Sequence, residues 1–185
     1  MIISLTGFMG CGKSSVGRKL SALLSCSYTD LDTYIEKKQG MSIPEIFDTE
    51  GEAAFRKMEL KALSEIVESA SLEKDGNAMH ILSLGGGTIM TAECADIIHN
   101  QTVCIYIRAS VDTLTNHLEK EAEGRPMLKS STDRNISLRG RIEELMDARA
   151  ETYEKTAQII IDSDGKEVDE IALEIISSRH VHAYP

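Results

Sequence analysis

The chain has 185 residues, 42% of them hydrophobic, four cysteines and a formal net charge of −10. That length builds one domain with a substantial core and is short for two, and the apolar content excludes a disordered chain. The acidic surface argues against broad contact with nucleic acid or anionic membrane, and leaves local basic pockets as the places for anionic ligands.

In chain order, Ile2-Ile-Ser-Leu-Thr6 is a short apolar run, the pattern of a buried strand. A glycine-rich stretch, Gly7 to Ser15, separates it from residues 16–24, where Val16, Leu20, Leu23 and Leu24 share one helical face. A second strand is expected over 27–31. Short helices follow over 33–38 and 43–47, the latter with Ser42 as cap and Pro44 at an early position. A longer helix is expected over 52–69, a surface turn over 73–77, and an apolar strand over 79–84 that runs into Gly85-Gly86-Gly87. Helix over 91–98, strand over 103–107 and helix over 111–118 come next. The stretch 119–135 is polar, charged and aperiodic, too long for an ordinary connection, so it is either functional or disordered. Helix returns over 138–153, then a strand over 159–161, a helix over 168–177 and a tail from 179 that reads as a frayed terminus. About five strand–helix alternations imply a parallel sheet covered on both faces, in one doubly wound domain spanning 1–185.

Cys11, Cys26, Cys94 and Cys104 lie far apart, with no CxxC pair and no Cys/His cluster. Reduced thiols and a cytoplasmic location are expected rather than a disulfide frame or metal site. No apolar run is long enough to span a bilayer, and the first residues lack the basic start of a secretory signal.

Gly7-Phe-Met-Gly-Cys-Gly-Lys13-Ser14 matches GxxxxGK[ST] in full. The glycines let successive backbone N–H groups point inward at phosphate oxygens, and the following helix aims its positive end at the same place. Candidate nucleotide contacts are therefore Gly10, Cys11, Gly12, Lys13, Ser14 and Ser15. Lys13 would reach the β- and γ-phosphates, and the Ser14 hydroxyl would ligate Mg²⁺. A guanine-specific NKxD motif is absent. The strand before Gly85 ends in glycines, not in the aspartate of larger ATPase motors. A small-molecule kinase then needs an acceptor pocket, and the later motifs supply one. Asp30-Leu-Asp32 ends the second strand, where residues two apart point the same way. One carboxylate can hold a metal-bound water and the other can accept a proton from an acceptor hydroxyl; alternatively Asp32 caps the next helix. Arg56 and Arg149 each fit either a carboxylate clamp or an ordinary surface ion pair, Arg56 with Glu52. The glycine triplet marks a close approach to backbone or a strained turn. Gly124-Arg125-Pro lies on a mobile lid, about 119–135, that closes over nucleotide, or on a disordered loop.

Together these motifs resemble the shikimate kinase family: GFMGCGKSS, Asp30-Leu-Asp32, Phe55-Arg56-x-x-Glu59, Gly85-Gly86-Gly87, Gly124-Arg125-Pro and Arg149-x-x-x-Tyr153. The resemblance implies an α/β P-loop NTPase fold of the nucleoside-monophosphate-kinase-like kind, with a five-stranded parallel sheet, helices on both faces and a mobile lid. It implies transfer of a phosphoryl group from ATP to shikimate. Arg56 and Arg149 would grip the shikimate carboxylate, Asp32 would contact its hydroxyls and act as base, and Gly86, in the triplet Gly85 to Gly87, would offer its backbone. Asp30 would hold Mg²⁺ through water beside Ser14, and Arg125 would close onto ATP. The catalytic set is then Lys13, Asp32 and Arg125, in a monomer that needs no nucleic acid or membrane. Two departures stand out. The family's proline between Arg149 and the tyrosine region is missing, and Asp162-Ser-Asp-Gly-Lys166 lacks the residues that often contact adenine. A gluconate-type sugar-acid kinase and a ligand-sensing module are the competing functions.

Overall fold

The computed structural model describes residues 1–72, 79–119 and 136–178. The expected turn at 73–77, the tail from 179 and the lid apart from Glu119, with Arg125, lie outside these residues. Five strands form one sheet: β1 (Ile2–Thr6), β2 (Ser27–Asp30), β3 (His80–Ser83), β4 (Val103–Arg108) and β5 (Ile159–Asp162). Every pairing is parallel and the spatial order is β2-β3-β1-β4-β5. The connecting helices are α1 (Lys13–Leu24), α2 (Leu31–Gln39), α3 (Ile43–Thr49), α4 (Glu52–Leu72), α5 (Ala92–Gln101), α6 (Val111–Leu118), α7 (Leu138–Thr156) and α8 (Val168–Ser177).

β1 is buried along its whole length because both faces of the sheet are covered. Its side chains still alternate. Ile3 and Leu5 pack with Val16 and Leu20 of α1 and with Leu114 and Leu118 of α6, while Ile2 faces Leu31, Leu63 and Ile98 on the other side. β4 repeats the division, with Ile105 and Ile107 on the first face and Cys104 and Tyr106 on the second. The chain leaves β1 towards β2 but leaves β3 towards β4, so neighbouring strands β1 and β3 send their connections in opposite directions. That reversal opens a crevice above their carboxyl ends, where such sheets bind ligands. No helix among the described residues is long and apolar enough to cross a membrane.

Local chemistry explains where elements begin. Ser42 and Glu45 form a reciprocal capping box that starts α3, with Pro44 in the first turn. The second strand stops at Asp30, one residue earlier than expected. The Asp30 side chain accepts the Thr33 N–H at 3.1 Å and caps α2. Asp30 is thus the cap, and Asp32 lies within the first helical turn, with its side chain free for other work. A short 3₁₀ turn, Thr88–Met90, precedes α5. Leu23, expected on the buried face of α1, is 45% exposed in the last turn, beyond the contact that Val16 and Leu20 make with the sheet. The missing proline leaves α7 unbroken through Tyr153, with Glu151 and Lys155 paired across one turn.

Gly17, inside α1, allows this helix to lie against β2: a Cβ there would meet the Tyr28 ring at 2.6 Å and the Leu5 side chain at 3.3 Å. Alanine at an ordinary helix position gains about 1 kcal/mol over glycine, but forced overpacking costs roughly 1–3 kcal/mol. Gly17→Ala is therefore expected to destabilise the fold, seen as a lower urea midpoint with an unchanged slope; a higher midpoint would contradict this packing.

Candidate active site

The glycine loop between β1 and α1 forms the first half of the site. Gly10 and Gly12 have φ of +81° and +95°, in the left-handed region that side chains disfavour. A Cβ on Gly7 would strike the Ile107 carbonyl oxygen at 2.5 Å. Gly12 caps α1 without any side-chain hydrogen bond, leaving the first-turn N–H groups open to an anion. Lys13 is buried, and its ammonium donates to the carbonyls of Gly7 at 2.9 Å and Phe8 at 3.0 Å. Ser14 Oγ donates to Asp30 Oδ2 at 2.7 Å, and the Tyr28 hydroxyl donates to the same oxygen at 3.2 Å. A cavity of about 400 Å³ opens over these groups, with Gly10, Gly12, Lys13, Ser14, Ser15 and Asp30 in its walls. The Cys11 side chain turns into the core instead, so that residue can offer a ligand only its backbone.

The second half lies beyond Asp32. A cavity of about 270 Å³ is lined by Arg56, Glu59, Arg149, Asp32 and the glycine triplet, with Phe47 and Phe55 among its apolar walls. Arg56 reaches it from α4 and Arg149 from α7. Arg56 donates to Glu59 at 2.7 Å and to Glu52 at 3.0 Å, so the expected surface pair with Glu52 exists beside a second, buried one. Arg149 is buried, donates to the Gly86 carbonyl at 3.3 Å, and lies over the Phe8 ring. Tyr153, one turn on, donates its hydroxyl to the same carbonyl.

The triplet is not a strained turn, since none of its three glycines has a positive φ. Each leaves room for a different approach. A Cβ on Gly85 would meet Asp32 Oδ1 at 2.6 Å, one on Gly86 the Met9 amide nitrogen at 3.0 Å, and one on Gly87 an Arg56 nitrogen at 2.8 Å. Among the described residues the Gly86 N–H has no hydrogen-bond acceptor.

Asp32 and Gly86 stand in the walls of both cavities. Burial lifts the Asp32 carboxyl from 3.8 to about 7, with Glu59, Asp30 and Glu36 adding to the rise and Lys13 opposing it. A carboxyl near neutrality, between a phosphate loop and an arginine-lined cavity, is suited to exchange a proton with a bound hydroxyl. All candidate residues within the described chain converge on this cleft, apart from the Cys11 side chain. The sequence reading gave no role to His117, whose Nδ1 lies 2.9 Å from the Gly10 carbonyl oxygen, or to Val168 across the same cavity. A lone histidine on an amphipathic helix carries no motif. Glu59 entered the sequence reading only as the end of the Phe55-Arg56-x-x-Glu59 motif, with no role of its own, and Thr88, hydrogen-bonded to it at 2.6 Å, carried no motif.

The family profile described as Shikimate kinase matches residues 9–179. A shikimate kinase of Thermus thermophilus is 38% identical over 181 residues, covering 98% of this chain and 91% of its own. Among solved structures, a shikimate kinase from Acinetobacter baumannii in complex with shikimate superposes with a TM-score of 0.86 at 27% identity, covering 100% of this chain and 95% of the other. The enzyme from Aquifex aeolicus gives 0.76 at 29% identity, covering 99% and 98%. With the family profile matching residues 9–179 and a relative 38% identical over 98% of its length, the chain belongs to the shikimate kinase family.

Proposed function

We propose that the chain transfers the γ-phosphoryl group of ATP to the 3-hydroxyl of shikimate, giving ADP and 3-phosphoshikimate on the route to chorismate and the aromatic amino acids. The observation that carries this reading is Asp32, placed between a phosphate-loop cavity and a cavity with two arginines. Family membership supports the same activity.

Nucleotide phosphates lie on the α1 N-terminus, and Lys13 swings from the Gly7 and Phe8 carbonyls to the β- and γ-phosphates. The adenine base would lie beside His117 and Val168, which line the same cavity. Shikimate places its carboxylate between Arg56 and Arg149, which offer forked N–H donors suited to a planar anion. Its ring hydroxyls then face Asp32, which takes the proton of the attacking oxygen as the phosphoryl group arrives. The Gly86 N–H, in the wall of both cavities, would donate to a ligand oxygen. Arg125, on a lid at about 119–135, brings positive charge to the transferring group. The pairing of a hydroxyl and a carboxylate, Ser14 and Asp30 at 2.7 Å, fits a hard cation that prefers oxygen ligands. Ser14 would bind Mg²⁺ directly and Asp30 through water, and the ion would offset the phosphate charge.

Three expected outcomes test this reading. The purified chain with ATP and Mg²⁺ should release ADP with shikimate and not with gluconate; release with gluconate alone would make it a sugar-acid kinase, and binding of both ligands without turnover a sensor. Arg56→Ala should raise KM for shikimate by about tenfold or more while KM for ATP stays within about twofold, because a charge-assisted bond to a carboxylate is lost; an unchanged KM for shikimate refutes the clamp.

The third concerns Asp32. The acid limb of kcat/KM should fall near pH 7, the value that burial imposes on the free enzyme. A carboxyl whose folded pKa exceeds its unfolded one binds its proton more tightly when folded. It therefore favours folding at low pH and opposes it increasingly as pH rises from 3.8 to about 7. Asp32→Asn should thus lose activity by about a hundredfold or more and yet melt higher than the wild type at pH 8, a gap that narrows as pH falls. A lower melting temperature at pH 8 would show the charged form to be stabilising.

A further inference from the structure

We propose that Thr88 is a positioning residue for the acceptor: its hydroxyl fixes the buried Glu59 carboxylate and so keeps the Arg56 guanidinium aimed into the acceptor cavity. This rests on the reading of that cavity as the shikimate site.

Glu59 is 1% exposed and so depends on protein donors rather than water. Each of its oxygens has its own donor. Oε2 accepts from Arg56 Nη1 at 2.7 Å and Oε1 accepts from Thr88 Oγ1 at 2.6 Å. Thr88 is wholly buried, and its N–H donates to the Gly85 carbonyl at 3.2 Å, so the hydroxyl projects from a fixed backbone. The space that a side chain at position 85 would fill is bordered by Asp32 Oδ1 at 2.6 Å, Glu59 Oε1 at 3.1 Å and Thr88 Oγ1 at 3.1 Å. Glu59 Oε1 therefore shares this corner with the Asp32 carboxylate, and Thr88 supplies the hydrogen bond that holds it there against a like charge.

Arg56 is contested. Glu52, with a half-exposed side chain, pulls its other nitrogen towards solvent at 3.0 Å, while Glu59 holds it from within. If Glu59 turns away from Asp32, the pull of Glu52 prevails and the guanidinium leaves the cavity. A single hydroxyl, on the residue immediately after the glycine triplet, thereby sets the strength of acceptor binding without touching the acceptor.

The test compares Thr88→Ala with Thr88→Ser, which differ at this position only by the hydroxyl, and adds Thr88→Val, which keeps the shape. KM for shikimate should rise by about tenfold in the alanine and valine variants, the usual scale of a lost hydrogen bond to a charged group. The serine variant should stay within about twofold of the wild type, and KM for ATP should not move in any of them. Ligand-free crystal structures should show Arg56 on Glu52 and away from Glu59 in the valine variant, and on Glu59 in the serine variant. A wild-type KM for shikimate in the alanine variant, a serine variant as weak as alanine, or an Arg56–Glu59 contact kept in the valine variant overturns the proposal. Should the valine variant not fold, the alanine and serine pair decides. Should the wild type leave shikimate untouched, the acceptor reading falls and the position of Arg56 in the crystals still judges Thr88.

Discussion

Charged groups gathered at the mouth of a parallel sheet must each meet an opposite charge or a hydrogen-bond donor, because water no longer solvates them fully. Here that requirement is met around three glycines. Asp32 comes against Gly85, the phosphate loop against Gly86 and Arg56 against Gly87, at 2.6, 3.0 and 2.8 Å from where a Cβ would sit. Glu59 links Arg56 to Thr88, and Gly86 ties Arg149 and Tyr153 to the same turn. Such a cluster is coupled: removing one partner leaves another charge buried alone, at a cost of about 3–5 kcal/mol. The cleft and the stability of the surrounding fold cannot be altered independently.

The topology explains why these groups meet at all. Strands β1 and β3 are neighbours whose connections depart in opposite directions, so the glycine loop after one and the glycine triplet after the other face each other across the crevice. α4 and α7 then bring one arginine each from different parts of the chain, and the cap at Asp30 turns α2 so that Asp32 points between the two cavities. No short segment contains the arginine-lined cavity; only the parallel sheet assembles it.

That division sets how much was legible in the sequence. The phosphate loop could be read directly, because its chemistry demands fixed residue types at fixed spacing between a strand and a helix. The same holds for the doubly wound sheet, most of whose strands read as short apolar runs alternating with helices, although β2, Ser27-Tyr-Thr-Asp30, is polar. The Asp30–Asp32 pair was found for a partly wrong reason. Strand alternation predicted that both would face one cavity; the structure reaches that result through a strand end and a helix cap. For Arg56 and Arg149 the residues alone favoured the ordinary surface pair, and the family resemblance supplied the clamp. Burial separates Arg149 from a surface pair, and burial is a property of the assembled fold. Thr88 and His117 carried no local pattern, and Leu23 followed the helical period yet faces solvent.

The acidic composition and the few cations of the cleft are two sides of one arrangement. Many basic side chains pair on the surface, as Lys19 does with Asp169, Lys166 with Glu174 and Arg108 with Asp162. Such exposed pairs contribute little stability, roughly 0–1 kcal/mol each, but they cancel charge where anions would otherwise gather. Among the described residues, Lys13 and Arg149 are the buried cations, and both line the cleft. Screening confines their field to about 8 Å in physiological salt, so an anion gains from them only once inside, where desolvation strengthens the attraction. A net charge of −10 then disfavours loose anion binding elsewhere on the surface without weakening the cleft.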